Sequence, residues 1–242
     1  MAAASHGSIK AFWAITAIVA TAASATFTVV KERQARAATR TASQARAQLA
    51  AGLNRAGAPL LTVLGNVTTA KTPEDMRAAI EVLTARVIDI AHSQCGRSRR
   101  PGANLRAVYY SYVDNRLERR DWTGRLTSSP PRSAFTSGAN LHDTEVVRFA
   151  ASDERLLIVD DLYYNAPAHF IDAKGRTYRS FIAVPVRAGE TSFGLLTLDS
   201  DLGGSLTETD AGHLILLAGV LAAGLAHLAS RQTVGMPRGQ EC

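Results

Sequence analysis

Residues 11–30 form an unbroken run of twenty residues without a charged side chain or a proline. A helix of this length spans about 30 Å, which is the thickness of the hydrocarbon core of a bilayer. The run contains Phe, Ile and Val diluted by Ala, Ser and Thr, so its total hydrophobicity is modest. We expect one transmembrane helix over residues 11–30, preceded by a short tail at residues 1–10.

The charges that flank this run predict its orientation. One lysine precedes it, whereas four basic residues follow closely: Lys10 before, and Lys31, Arg33, Arg36 and Arg40 after. By the positive-inside rule, the C-terminal side lies in the cytoplasm, as in a single-pass protein of the cell membrane. Two alternatives stay open, a cleaved signal peptide with small residues at 22–25 as its cleavage site, and a buried core helix. The basic run disfavours cleavage because it resists translocation.

Residues 31–70 are predicted to form a basic helical stalk or linker. Apolar positions there recur in alternating steps of three and four residues, and most are alanine: Ala35, Ala38, Ala42, Ala45 and Leu49. Because alanine buries little surface, this stripe is typical of a solvated or membrane-surface helix, with a parallel dimeric stalk as the alternative. Gly57 to Pro59 are expected to end the helical pattern.

Most of the positive charge of the chain lies in this stalk. The formal net charge is +6, and six basic residues against the single acid Glu32 lie between Lys31 and Arg55. The rest of the sequence is nearly balanced, so it lacks the basic surface that nucleic-acid-binding proteins need. We therefore expect no nucleic-acid partner.

A second helix is predicted to open the globular domain. Thr72 is a suitable N-cap, Pro73 suits the first helical position, and two acidic residues follow in the first turn. Gly96 is expected to end the helix. One face is apolar, with the positions Met76, Ile80, Leu83, Val87 and Ile90.

The sequence after residue 102 changes to a period of two, which predicts strands. The predicted elements are strands at 105–113, 117–122, 156–159, 181–186 and 192–198, loops at 127–140 and 163–179, and a helix at 144–151 capped by Asp143. A capping box of Thr207 and Asp210 predicts a closing helix to about residue 230, followed by a disordered tail at 232–242. This order predicts an α+β fold in which an antiparallel sheet buries one face under the two flanking helices.

Several segments of the second half resemble a GAF domain. They are Ser-Phe-Ile-Ala-Val-Pro-Val at 180–186, Phe-Gly-Leu-Leu-Thr-Leu at 193–198, and Leu-Thr-Glu-Thr-Asp at 206–210 with its helix. Leu-Ile-Val-Asp-Asp at 157–161 is similar to the strand and aspartate that precede the variable pocket loop of that family. The resemblance covers about residues 72–230 and implies a GAF-like domain at 72–231. Such domains bind a small molecule or dimerise without one.

The sequence departs from the patterns of the known GAF ligand classes. Asp199-Ser200 stands where the cyclic-nucleotide subgroup has an Asn-Lys pair. A bilin needs a thiol within or beside the pocket, and the sequence places none there. Haem needs a ligand such as His; His142 and His169 lie in the right region, but no motif selects either. The cofactor therefore stays unknown.

No catalytic motif is evident in the sequence. A methionine sulfoxide reductase uses this fold with cysteines clustered in its pocket, whereas Cys95 and Cys242 are the only cysteines here. Phosphate-cradling glycine loops and helical His-Glu metal motifs are also absent. We expect a protein that is not an enzyme.

Five residues are the candidates for a ligand site. They flank the predicted pocket loop, and they are Asp160, Asp161, Tyr163, Tyr178 and Ser180. Aromatic faces with a few polar groups are typical of small-ligand sites. The alternative is that the aspartates cap the following turn and the tyrosines pack on the sheet.

These features together predict a membrane-anchored, non-enzymatic sensory or adaptor protein that forms a homodimer. Its cytoplasmic GAF-like domain is expected to bind a small ligand or a partner. Few residues follow the closing helix, so we expect the signal to pass to a separate output protein. The alternative is a purely structural dimerisation or scaffolding module without a ligand.

Overall fold

The computed structural model describes residues 57–96, 102–125, 130–170 and 172–234. The predicted transmembrane helix at 11–30, most of the predicted stalk and residues 235–242 lie outside the described residues. The described elements, in chain order, are α1 (57–69), α2 (Pro73–Gln94), β1 (Leu105–Val113), β2 (Arg116–Gly124), β3 (Ala134–Thr136), α3 (Leu141–Ala151), β4 (Leu157–Val159), α4 (Leu162–Asn165), β5 (Ser180–Ala188), β6 (Thr191–Ser200) and α5 (Glu208–Val234).

The strands form one antiparallel sheet in the order β3-β2-β1-β6-β5-β4. The first hairpin turns at Asp114 and Asn115, whose φ angles are 47° and 58°. Two positive φ angles suit a tight turn whose twist matches that of the strands, and Asp and Asn tolerate them. The predicted α+β fold with an antiparallel sheet is confirmed.

Side chains alternate between the two faces of this sheet, and each face supports a separate core. The first core lies under α1, α2 and α5 and includes Leu105, Ala107 and Tyr109 of β1. The second core lies under α3 and α4 and includes Val108 and Tyr110 of the same strand. The helices therefore cover both faces rather than one.

Helix α2 begins and ends as the sequence predicts. Thr72 Oγ1 accepts a hydrogen bond of 3.1 Å from the Asp75 backbone N–H, and Pro73 occupies the first turn. Gly96 follows the helix with a φ of 70°, a conformation that favours glycine. All five predicted apolar positions of this helix are buried.

The sequence predicted a break at Gly57 to Pro59, whereas residues 57–69 are helical. Leu60 and Val67 are buried in the first core, at 4% and 0% exposed. Proline is compatible with a first helical turn because the N–H groups there need no partner within the helix. Burial of Leu60 and Val67 ties this helix to the domain.

Helix α5 starts at the predicted capping box. The Thr207 backbone N–H donates to Asp210 Oδ2 at 2.8 Å, and the Asp210 backbone N–H donates to Thr207 Oγ1 at 3.2 Å. The helix continues to Val234, so residues 232–234 of the predicted tail are helical. Within the described ranges, the helical segment Glu208–Gln232 is long and apolar enough to cross a membrane. A helix in the core of a soluble protein can meet the same criterion. Leu214, Leu217 and Leu221 pack in the first core.

The region between β2 and β4 differs most from the prediction. The predicted loop at 127–140 contains strand β3, and the loop at 163–179 contains the short helix α4. Helix α3 begins at Leu141, and its N-cap is Asn140, whose Oδ1 accepts from the Asp143 backbone N–H at 2.8 Å. Asp143 is not the cap, because its carboxylate is buried and pairs with Arg132 at 2.7 Å.

Candidate functional site

A cavity of about 430 Å³ lies on the second face of the sheet. Alternate residues of the three central strands reach it, because successive side chains on a strand point to opposite faces. Helix α3, residues 130–132, residues 169–170 and residues 175–178 form further walls. The lining residues of these three strands are Arg106 and Tyr110 of β1, Phe181 and Ala183 of β5, and Leu195, Thr197 and Asp199 of β6; Phe135 of β3 and Leu157 of β4 also reach the cavity.

One wall of this cavity is a connected set of aromatic rings. The centroids of His142 and Phe170 are 4.5 Å apart, edge to face, and those of His142 and His169 are 5.4 Å apart, stacked. Phe170 stacks on Phe181 at 5.4 Å, and Tyr178 meets Phe181 edge to face at 6.0 Å. Such offset and T-shaped contacts are the favoured arrangements of aromatic pairs. The wall therefore presents planar apolar surface to a ligand.

The two histidines of this wall are held in the neutral form. His142 is 7% exposed, and burial, followed by the nearby charges of Arg176 and His169, lowers its pKa to about 4. Its Nδ1 is buried without a hydrogen-bond partner in the described part of the chain. Burial also lowers the pKa of His169. At neutral pH both imidazoles act as aromatic rings rather than as cations.

A buried charge cluster closes one end of the cavity. Asp199 Oδ2 accepts hydrogen bonds of 2.8 Å from Nε and Nη2 of Arg106, and its Oδ1 binds Arg125. The side chains are 7% exposed for Asp199 and Arg106 and 8% for Arg125. Burial raises the pKa of the Asp199 carboxyl, and both guanidinium groups oppose that rise. Two guanidinium groups thus share the Asp199 carboxylate.

Three further arginines line the cavity, and two of them are neutralised by carboxylates. Arg132 pairs with Asp143 at 2.7 Å, and Arg148 pairs with Glu145 at 2.8 Å. Arg176 makes no ion pair with any residue in the described ranges, and its guanidinium carbon lies 5.5 Å from the ring centroid of Phe170. The cavity thus carries one guanidinium beside its aromatic wall that no described carboxylate neutralises.

Two phenol groups add hydrogen-bonding capacity to the lining. Burial raises the pKa of Tyr110, and it raises the pKa of Tyr178 to about 12. Both hydroxyls therefore stay protonated at neutral pH and remain able to donate. Together with the arginines they are the polar groups by which a bound molecule would be oriented.

Of the five candidate residues, Tyr178 lines the cavity. Asp161 instead caps α4, accepting from the Tyr163 backbone N–H at 3.0 Å, and its carboxylate pairs with Arg179. The Arg179 guanidinium lies 4.4 Å from the ring centroid of Tyr163. These three side chains form a surface cluster at the start of α4, in which Asp161 has the capping role that the structural alternative gave it.

Asp160 and Ser180 belong to the packing of the loop after β6. The Asp160 carbonyl accepts a hydrogen bond from the Gly204 backbone N–H at 2.6 Å. Ser180 Oγ donates to the Leu202 carbonyl at 2.8 Å. Neither residue lines the cavity.

The lining residues Arg106, Asp199 and Arg176 were not among the candidates. The alternation of β1 and β6 would have placed the first two on one face, but no local motif marks them as a pair. The described residues contain no group of three or more His, Cys, Asp or Glu that could hold a metal ion. Cys95 is buried in the first core, on the other face of the sheet, and burial raises its pKa to about 12.

The sequence matches no protein-family model. It also matches no curated protein. Solved structures do resemble it: a GAF protein from Burkholderia vietnamiensis has a TM-score of 0.50 at 17% identity, covering 74% of this chain and 98% of that one. The chromophore-binding domain of a bacteriophytochrome from R. palustris has a TM-score of 0.51 at 11% identity, covering 74% of this chain and 62% of that one. The described domain therefore has a GAF-like fold.

Proposed function

We propose that this protein is a non-enzymatic sensor whose GAF-like domain binds a small molecule and signals through a separate protein. The cavity carries the proposal, since its volume of about 430 Å³ lies within the range of roughly 300–1,000 Å³ typical of small-molecule sites. Its lining combines aromatic surface with a few convergent polar groups, as such sites do. A scaffolding module does not require a cavity with such a lining.

The chemistry of the lining supports binding without turnover. The Cys95 thiol lies in the other core, and its pKa of about 12 keeps it protonated, so it is no nucleophile. His142 is neutral and is placed among rings rather than beside a hydroxyl or thiol to activate. The cavity residues therefore serve recognition in this proposal.

Copurification tests the proposal directly. The full-length chain would be isolated under non-denaturing conditions and examined by native mass spectrometry, with thermal-shift screening of a small-molecule library on ligand-free protein. We expect one small molecule to be retained, or stabilisation by a library member, and we expect Thr197→Phe to abolish both by filling the cavity. Circular dichroism of this variant would show whether the fold is kept. A chain that retains and binds no small molecule would instead act as a scaffold.

Membrane anchoring through residues 11–30 is part of the proposal. Its support is the uncharged run and the basic residues that follow it. We expect the full-length chain in the membrane fraction and a variant lacking residues 11–30 in the soluble fraction. A thiol reagent that cannot cross membranes should label Cys242 in lysed cells and not in intact cells. Labelling of intact cells would reverse the orientation.

We also propose that the protein is a homodimer. Val82 on α2 and Ile215 and Leu216 on α5 are large apolar side chains that are 56%, 43% and 50% exposed. A second copy of the chain would remove this surface from water. Light scattering should give twice the chain mass, and Leu216→Glu should lower the measured mass toward the monomer. A monomeric wild-type protein would contradict the proposal.

A further inference from the structure

We infer that the cavity takes a planar aromatic molecule with a single carboxylate, whose ring packs on the aromatic wall and whose carboxylate pairs with Arg176. This inference rests on the proposed function and specifies its ligand class. The argument has three parts, which are the shape of the wall, the charge balance of the lining and the volume of the cavity.

The aromatic wall favours a planar ring. Phe170 is stacked on Phe181 with an angle of 23° between the ring planes, and His142 meets Phe170 at 73°. A ligand ring that packs against this set makes further stacked or edge-to-face contacts, each contributing about 0.5–1.5 kcal/mol beyond burial. A saturated compound of the same size gains the burial term alone. The neutral state of His142 means that the wall does not attract an anion by itself.

The charge balance of the lining favours one negative charge. Glu145 and Glu154 both pair with Arg148, and Asp199 pairs with both Arg106 and Arg125. Arg176 has no carboxylate partner among the described residues. A planar guanidinium binds a carboxylate through two parallel hydrogen bonds, and such pairs are stronger in a partly desolvated site. A cationic ligand would add to an excess of positive charge, whereas a monoanion neutralises it.

The aromatic wall and the Arg176 guanidinium lie next to each other. One molecule that carries both a ring and a carboxylate can therefore contact both. The Arg176 guanidinium carbon lies over the Phe170 ring, 5.5 Å from its centroid, so its N–H donors lie against the aromatic wall. A carboxylate bonded directly to an aromatic ring spans this distance. The volume of about 430 Å³ is near the lower limit of small-molecule sites and suits one or two fused rings.

Isothermal titration calorimetry on the full-length, ligand-free chain tests the class with 2-naphthoate as the probe. The comparison compounds are 2-naphthalenemethanol, which lacks the charge, decahydro-2-naphthoate, which lacks the aromaticity, and adenosine monophosphate, which carries a phosphate. We expect 2-naphthoate to bind at least about tenfold more tightly than each of these comparison compounds. A difference of this size corresponds to the loss of one charge-assisted hydrogen bond or of one set of aromatic contacts.

Variants assign the charge preference to one residue. Arg176→Gln should weaken 2-naphthoate binding about tenfold and leave binding of 2-naphthalenemethanol within about twofold, since it removes one charge-assisted pair. Arg120→Gln is the matched control, because it makes the same charge change at an exposed residue that does not line the cavity. Its affinity for 2-naphthoate should equal that of the wild type.

Three results would overturn the inference: equal affinity for the acid and the alcohol, a preference that survives in Arg176→Gln, or tighter binding of adenosine monophosphate. Absence of binding by every naphthyl compound would overturn it as well. These results leave the proposed function standing if another small molecule copurifies with the chain or stabilises it. The proposed function fails only when neither occurs.

Discussion

Arg106 and Asp199 face each other on the neighbouring strands β1 and β6, and two donors of the guanidinium lie 2.8 Å from one carboxylate oxygen. Both side chains are 7% exposed, so the pair has little contact with water. Removing one member of a buried ion pair lowers stability by more than the intact pair contributes. The reason is that the remaining charge stays buried without its partner and away from water. Arg125 binds the other carboxylate oxygen of Asp199. The pair and Arg125 therefore stabilise the part of the cavity wall that Arg106 and Asp199 form.

Asp199→Asn should lower the free energy of unfolding by about 3–5 kcal/mol, since it removes the carboxylate charge that two buried guanidinium groups bind. Urea denaturation followed by circular dichroism measures this loss. Asp153→Asn is the control, because Asp153 pairs with Arg187 at 2.9 Å but is 93% exposed. The free energy of unfolding of Asp153→Asn should fall by less than about 1 kcal/mol. Equal losses in the two variants would contradict a buried role for the Asp199 cluster.

Stability should fall as the pH is lowered from about 6.5 to about 4. His142 has an ordinary pKa of 6.5 in the unfolded chain and about 4 in the fold, so over this range the unfolded state binds the extra proton. Arg176, His169 and Arg132 oppose protonation of His142, and Asp143 favours it. The destabilisation should reach about 3 kcal/mol at most. Urea midpoints measured across this range give the slope.

His142→Phe keeps an aromatic ring at this position and cannot be protonated. We expect its unfolding free energy to depend less on pH between 6.5 and 4 than that of the wild type. All other titratable groups are the same in the two proteins, so the difference between the two curves isolates the imidazole. Parallel curves would show that His142 has an ordinary pKa.

The fold was largely predictable because local chemistry specifies its elements. The Thr72 cap and the Thr207 capping box each act within a few residues, and both occur as expected. Period-two and β-rich apolar patterns in the sequence likewise located the four long strands. Helix α1 lies within the predicted helical stalk or linker at 31–70, and its first turn lies where Gly57 and Pro59 had suggested a break.

The cavity was much less predictable, because its residues come together only through strand pairing. Arg106 and Asp199 are 93 positions apart and share no motif. Asp161 follows a strand as ligand-binding aspartates do, yet its carboxylate is used by the α4 cap and by Arg179. Tyr178, a candidate from the sequence, does line the cavity. A short polar motif in the sequence therefore does not show whether an aspartate caps a helix or binds a ligand.

Tyr178→Leu and Tyr163→Leu form a matched pair that separates the cavity from the α4 surface cluster. Tyr178 lines the cavity and contacts Phe181, so its substitution should weaken 2-naphthoate binding by about 2–10-fold through the lost aromatic contact. Tyr163 contacts Arg179 outside the cavity, and its loss should change stability by about 0.5–1 kcal/mol without changing affinity. Calorimetry and urea denaturation give the two values. Weaker binding by Tyr163→Leu alone would move the site to α4.

Gly194→Ala should be among the most destabilising single substitutions in the domain. A Cβ at this position would lie 1.9 Å from the Tyr110 carbonyl oxygen, and the φ of 147° disfavours any side chain. The clash is with the backbone of β1, which cannot turn aside as a side chain can, so β1 and β6 must separate locally. We expect a loss of more than about 3 kcal/mol in unfolding free energy.

Gly219→Ala is the control for this substitution, since Gly219 lies in α5 with no atom within 4 Å of an added Cβ. It should raise the unfolding free energy by up to about 1 kcal/mol, because alanine is the better helix former. A neutral Gly194→Ala would mean that the two strands are further apart than the structure places them. Because Tyr110 and Leu195 both line the cavity, that spacing also determines its width, so Gly194→Ala should weaken 2-naphthoate binding while Gly219→Ala does not.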